Sequence, residues 1–271
     1  NSSYRSFIVT SPPPEGGGGP GGGGSGSSSS SIIPTTTDIQ ITPSNLEITL
    51  EENTKKLSTI EITNRGSSST PVTIEVQGLN DIITVEGEKQ FLLSPLGKKI
   101  ITLSFFSNKT GIFNGKIKID TKEILVTINV NSVGLLFDAK LLISNEFKAI
   151  KYNSNLTTQL ILTPIGLENE INITIVYIII DFDGQTYLTD TDETIILGNI
   201  TFDKVFSLIN LAPGNYSVGA KILYSDKVAV ASTHFEITSS ELLLSPYFTG
   251  LISGIIVVII YLFLYLRYKK I

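Results

Sequence analysis

From Asp38 onward the sequence alternates apolar and polar residues with a period of two, the signature of strands with one buried face. Leu46, Ile48 and Leu50 fall on one side, with Glu47 and Thr49 opposite. Ile60 and Ile62 repeat the pattern before Asn64-Arg65-Gly66, a turn. Val72/Ile74/Val76, Ile82 to Val85, Phe91 to Leu93, Ile101/Leu103/Phe105, Ile117/Ile119 and Ile124/Val126/Ile128/Val130 continue it. About eight short strands in residues 38–132, without a helical period, predict a β-sandwich. A second set runs over residues 133–240. It comprises Phe137/Ala139/Leu141/Ile143, Leu160/Leu162, the run INITIVYIIIDFDG, Ile195/Leu197, Val205/Leu208, Val218 to Leu223 and a closing VAVASTHFEI. No close internal repeat relates the halves. The join at Asn129 to Val133 is short, so two sandwiches joined end to end as a rod are expected.

Alternation gives way to a continuous apolar run at residues 245–266. The 20 residues from Tyr247 to Leu266 carry no charge; as a helix they span about 30 Å, the thickness of a bilayer's hydrocarbon core. Tyr247, Tyr261, Tyr265 and Tyr268 sit toward its ends, and Arg267, Lys269 and Lys270 follow at once. Basic flanks stay cytoplasmic, so residues 267–271 are expected inside and everything before the span outside the cell. The fold class is then all-β, two tandem immunoglobulin-like sandwiches plus one C-terminal transmembrane helix. Gly250 and Gly254 form a G-x-x-x-G on this span, a candidate helix-packing face for a homodimer.

Composition narrows the chemistry. The 271-residue chain has no cysteine, so disulfides and thiolate sites are excluded, and its cores must hold by packing alone. A net charge of −5 is too mild to point to nucleic acid. Position 1 is not methionine, so a processed or truncated chain is expected. Within residues 1–37, NSSYRSFIVT is expected as a tail or as the last strand of an upstream domain, and Ser11 to Ser31 as a Gly/Ser/Pro-rich linker without apolar surface to bury. Its glycines lack the flanking strand and helix of a phosphate loop.

Six N-x-[ST] sites, Asn1, Asn108, Asn155, Asn172, Asn199 and Asn215, are candidate glycosylation sites in an extracellular chain. With Ile171, Ile173 and Ile175 inward, Asn172 points out. Asp181, Asp183, Asp190 and Asp192, with Glu193 and Asp203, are candidate Ca²⁺ ligands, but the EF-hand spacing is not met. The Asp183-Gly184 pair between alternating segments is itself a hairpin signal. His234, the single histidine, has no triad or ligand set in the sequence and reads as a strand residue. No catalytic constellation is found, so no enzyme activity and no resident cofactor are expected.

Three resemblances bear on the domains. The stretch GIFNGKIKI with the final ILVTINV, and the hairpin TIEITNRGSSSTPVTIEV, resemble surface sandwiches related to the major sperm protein fold. Leu211-Ala212-Pro213-Gly214-Asn215-Tyr216 resembles the L-x-P-x-x-Y corner of fibronectin type III and immunoglobulin-like domains. That resemblance implies that the Tyr216 hydroxyl bonds back to backbone at a sheet corner. The second domain as a whole resembles fibronectin-like modules of archaeal cell-surface proteins. The expected function is a membrane-anchored structural or adhesive stalk holding its N-terminal part away from the membrane. The alternative is an accessory subunit of a membrane or envelope complex, binding a protein or glycan partner through a sandwich face.

Overall fold

The computed structural model describes residues 38–144, 149–167 and 169–239, all within one compact unit. Residues 1–37 with Asn1, the apolar run 245–266 with Gly250 and Gly254, and the basic tail lie outside the described residues. Among the described residues every regular element is a strand, and no helix is long and apolar enough to cross a membrane.

Two sandwiches are present. In the first, β1 (Ile39–Thr42), β3 (Lys55–Asn64), β7 (Lys98–Phe106) and β5 (Ile83–Glu86) form one sheet in that order. The other sheet runs β2 (Asn45–Glu51), β9 (Lys122–Asn131), β8 (Gly111–Ile119), β4 (Thr70–Gln77), β6 (Gln90–Leu93). Ile60, Ile62, Leu103, Phe105, Ile117, Ile124 and Ile128 are among the side chains that fill the space between them. In the second sandwich a sheet of β10 (Phe137–Ile143), β12 (Asn155–Pro164) and β15 (Ile200–Ser207) faces a sheet of five. That sheet runs β11 (Ala149–Lys151), β17 (Lys227–Thr238), β16 (Gly214–Tyr224), β13 (Ile171–Asp181), β14 (Thr186–Ile196). Phe137, Leu156, Leu160, Tyr177, Phe206 and Val218 lie in its core.

The halves share a layout that their sequences do not display. In each, the first strand is split between sheets. β1 runs antiparallel to β3, and the chain then crosses so that β2 runs parallel to β9. Likewise β10 pairs antiparallel with β12, and β11 runs parallel to β17. This is an immunoglobulin-like arrangement, and it lets one strand close both sheets of the sandwich. The expected alternation is present: β2 reads exposed-buried throughout, with Leu46, Ile48 and Leu50 inside.

The end-to-end rod is not what forms. The two five-stranded sheets pack face to face, β8 and β9 of the first against β13, β16 and β17 of the second. Ile112, Ile178, Ile180 and Val230 form a small apolar cluster between them. Gly219 lies under Ile112, and a Cβ there would collide with the Ile112 Cδ1. The short connection, rather than extending the chain, turns it back. Ser132 N donates to Val228 O at 2.9 Å, Val228 N donates to Ser132 Oγ at 3.0 Å, and Lys227 Nζ donates to Val133 O at 2.8 Å.

This folding back brings the two ends of the described region to one side. Asn131 of β9 bonds Val230 near the start of β17, whereas Glu47, near the start of β2, lies beside His234 near the end of β17. Asp38, where the described chain starts, and Ser239, where it stops, are therefore at the same end of the pair of sandwiches. The turn at residues 132–136 is at the other end.

Gly219→Ala tests the seam. Overpacking should destabilise the chain by about 1–3 kcal/mol, and Ile112→Ala in the same chain should recover much of the loss. Equal melting temperatures for wild type and Gly219→Ala would show that the sheets do not meet there.

Candidate functional site

Among the described residues, half of the buried polar side chains lie along the face-to-face seam: Asn114, Thr127, Asn129, Ser132 and Ser217. At its centre Asn114 of β8 is nearly fully buried. Its Nδ2 donates to Ser217 Oγ at 2.7 Å and to Asp181 O at 3.1 Å, and its Oδ1 accepts from Thr127 Oγ1 at 2.9 Å. Thr127 has one hydroxyl hydrogen, and it goes to Asn114, so Nε2 of His234 must be the donor in the Thr127–His234 bond. The other ring nitrogen, Nδ1, is 3.6 Å from Glu47 Oε1, and the ring meets Phe182 edge-on at 5.0 Å. Outward along the seam, Ser232 Oγ donates to Asn129 Oδ1 at 2.8 Å, and Lys116 Nζ pairs with Asp183 Oδ1 at 2.6 Å. The bond to Asp183 raises the Lys116 ammonium above its ordinary value, against the pull of burial.

The four candidate Ca²⁺ ligands divide into two pairs that do not converge. Asp181 closes the β13–β14 hairpin: its Oδ1 accepts from Asp183 N and Gln185 N, each at 2.9 Å, and its Oδ2 accepts from Tyr187 OH at 2.9 Å. Gly184 supplies the left-handed turn residue, at φ 84°. Asp190 and Asp192 lie on β14, which extends well ahead of the strand expected at Ile195 and Leu197, and both pair with Lys204 of β15 at 2.9 and 2.8 Å. The Lys204 bond, then the Thr191 N–H, hold the Asp190 carboxyl below its ordinary value. Burial pulls the Lys204 ammonium down, but Asp192 and Asp190 outweigh it and leave the group raised. Among the described residues no group of three or more His, Asp or Glu side chains is placed to hold a metal.

Tyr216 OH donates to Ala212 O at 2.8 Å, across the corner where β16 begins. Its ring stacks on Phe235 at 5.7 Å and meets Tyr187 edge-on at 5.5 Å. Tyr177 is the contrast: fully buried, with a hydroxyl that finds no hydrogen-bond partner among the described residues. Burial first, then the Asp192 charge, push its phenol up to about 12. The candidate glycosylation sites Asn108, Asn155, Asn172, Asn199 and Asn215 are all exposed. They are scattered over both sandwiches rather than gathered into one site.

The seam residues were missed in the sequence, where Thr127 and Asn129 alternate with Val126, Ile128 and Val130 as on any half-buried strand; only the structure shows the second covered face. The strand pattern of β9 is buried almost continuously, including Thr127 and Asn129 on the side away from its own core. Two-sided burial is the mark of a strand covered on both faces.

No family model and no curated protein matches the chain. It is similar to solved structures at low identity. One is the PapD-like domain 7 of human CEP192, at 14% identity and TM-score 0.29, over 38% of this chain and 94% of that one. Another is a CARDB domain from Pyrococcus furiosus in complex with di-metal ions, at 10% identity and TM-score 0.29, over 38% and 87%. A third is a protein of unknown function from Porphyromonas gingivalis, at 10% identity and TM-score 0.36, over 73% and 99%. These similarities assign no residue a role. The immunoglobulin-like class rests on the split first strands and the sheet order of the chain itself.

Two tyrosine variants separate a working hydroxyl from an idle one. Tyr216→Phe removes the donor to the Ala212 carbonyl and should cost about 0.5–1.5 kcal/mol, read as a lower unfolding midpoint. Tyr177→Phe removes a hydroxyl without a partner and should leave the midpoint unchanged or raised. The fold keeps the Tyr177 phenol protonated, so its contribution is complete below about pH 10 and is lost as pH rises toward 12. Tyr177→Phe should therefore resist alkaline unfolding better than wild type, and equal alkaline midpoints would remove that role. Chelator should leave the melting temperature unshifted, because Asp183, Asp190 and Asp192 already pair with Lys116 or Lys204 and Asp181 is taken up by its own hairpin; a drop of several degrees would establish a bound cation.

Proposed function

We propose that the chain is a non-enzymatic, single-span surface protein whose paired sandwiches act as one structural or adhesive head close to the membrane. The anchor is residues 245–266, with residues 267–271 cytoplasmic. The observation that carries this reading is the folded-back seam, with Asp38 and Ser239 at one end. A stalk lifting residues 1–37 away from the membrane needs its two ends far apart, and here they are together. The segment before Asp38 starts its path at the membrane-facing end, and the end that faces outward is the turn at residues 132–136. Buried hydrogen bonds across the seam favour one fixed arrangement of the two domains, which suits recognition by a rigid surface more than flexible spacing.

The accessory-subunit reading places the same head within a membrane or envelope complex. A stable partner that co-purifies in mild detergent would favour it over a free-standing adhesive head.

The chain has no cysteine, so spin labels can be placed cleanly. With labels at Asp38→Cys and Ser239→Cys the measured distance should be shorter than with labels at Asp38→Cys and Asp226→Cys, because β17 separates its own ends by about 35–40 Å. The reverse order would restore the extended stalk. Protease added to intact cells should release a fragment ending before Tyr247; protection of both sandwiches would reverse the orientation.

A further inference from the structure

We propose that the cavity beside Asn108 is the seat of the proximal sugars of a glycan attached to that residue. The inference rests on the surface reading above and adds a site to it. The cavity measures about 380 Å³, within the roughly 300–1,000 Å³ of small-ligand sites. Two phenyl rings, Phe106 and Phe113, line it with Leu79 and Ile82, while Asp81 and Lys109 add opposite charges to the lining. Apolar rings beside a carboxylate and an ammonium match a sugar, which has apolar C–H faces and hydroxyls at its edges. Phe106 is 46% exposed, a large apolar area left at the surface.

The attachment point is held in place. Ser107 Oγ donates to Lys109 O at 2.8 Å and accepts from Lys109 N at 3.1 Å, closing a tight turn with Asn108 exposed at its tip. Ser107 O accepts from Asn53 N at 2.8 Å, and Phe106 N donates to Ile82 O at 3.0 Å, which fixes both sides of the turn. Asn108, Lys109 and Thr110 complete the acceptor triplet. A lipid-linked oligosaccharide would be the donor. The Asn108 Nδ2–C1 bond forms as the sugar's C1–O bond to the lipid phosphate breaks, and the amide loses one proton. A sugar tethered at the rim reaches the cavity without the entropy loss of a free ligand, so weak contacts suffice to hold it. Asn199, exposed in the β14–β15 turn, serves as the comparison.

The test uses the full chain purified from its native membrane, with the Asn108 and Asn199 peptides weighed by mass spectrometry. Asn108 should carry a glycan. Thr110→Ala should remove it and lower the melting temperature by about 2–4 °C, and Thr110→Ser should do neither. Thr201→Ala, which removes the Asn199 acceptor, should leave the melting temperature in place. Phe106→Ser should lower it in the glycosylated chain and not in the Thr110→Ala background. A bare Asn108 with a glycan on Asn199 overturns the proposal alone, as does a lost glycan with an unchanged melting temperature. Bare asparagines at all sites overturn the proposal and the glycoprotein reading together.

Discussion

The arrangement of this protein depends on one buried carboxamide. Asn114 reaches Ser217 and the Asp181 carbonyl in the other sandwich while accepting from Thr127 in its own, so three of its four hydrogen-bonding positions are used. Pulling the sheets apart without hydrating this group would leave it costly, and shifting the register by one residue would replace it with Phe113 or Gly115. The apolar cluster around Ile112 supplies contact area; the polar row fixes where that contact occurs. The seam resembles neither a core nor a transient surface patch. It has few apolar residues, yet Thr127 and Ser217 are completely buried.

Modest attraction is enough here because the domains are joined. A connection of a few residues converts association into an intramolecular event at high effective concentration. The connection is itself hydrogen-bonded to the start of β17, so it holds the fold-back rather than merely permitting it. Gly219 completes the arrangement by giving Ile112 room that any other residue would occupy.

The sandwiches were legible in the sequence because each core lies between sheets whose inner faces alternate cleanly. Leu46/Ile48/Leu50 and Ile124/Val126/Ile128/Val130 fall where the period of two puts them. The rod was wrong for a physical reason visible in the same strands. Alternation tells which side of a strand faces its own core, and it says nothing about what covers the other side. In β9 that other side carries Leu125, Thr127, Asn129 and Asn131, which read as solvent-facing. Their polar partners lie on β8 and β17, and satisfied polar residues leave the same sequence signature whether water or protein satisfies them. Likewise the acids of β14 look like a loop or a metal site until Lys204 is placed against them, and Tyr177 looks like any core tyrosine until its hydroxyl is found without a partner.

The outer strands bear on how such a head would recognise anything. β14 is an edge strand of 11 residues, long enough to invite pairing with a foreign strand. It is guarded by Asp190, Asp192 and Glu193, and Lys204 ties it to β15 across the gap between the two sheets. Charges placed along an edge make strand addition costly, because an incoming strand must displace or desolvate them. With the inner faces of both five-stranded sheets covered by cores and much of their outer faces covered by each other, the sheet faces left open are the outer faces of β1-β3-β7-β5 and β10-β12-β15. Under the proposed surface role, those are the faces open to a partner.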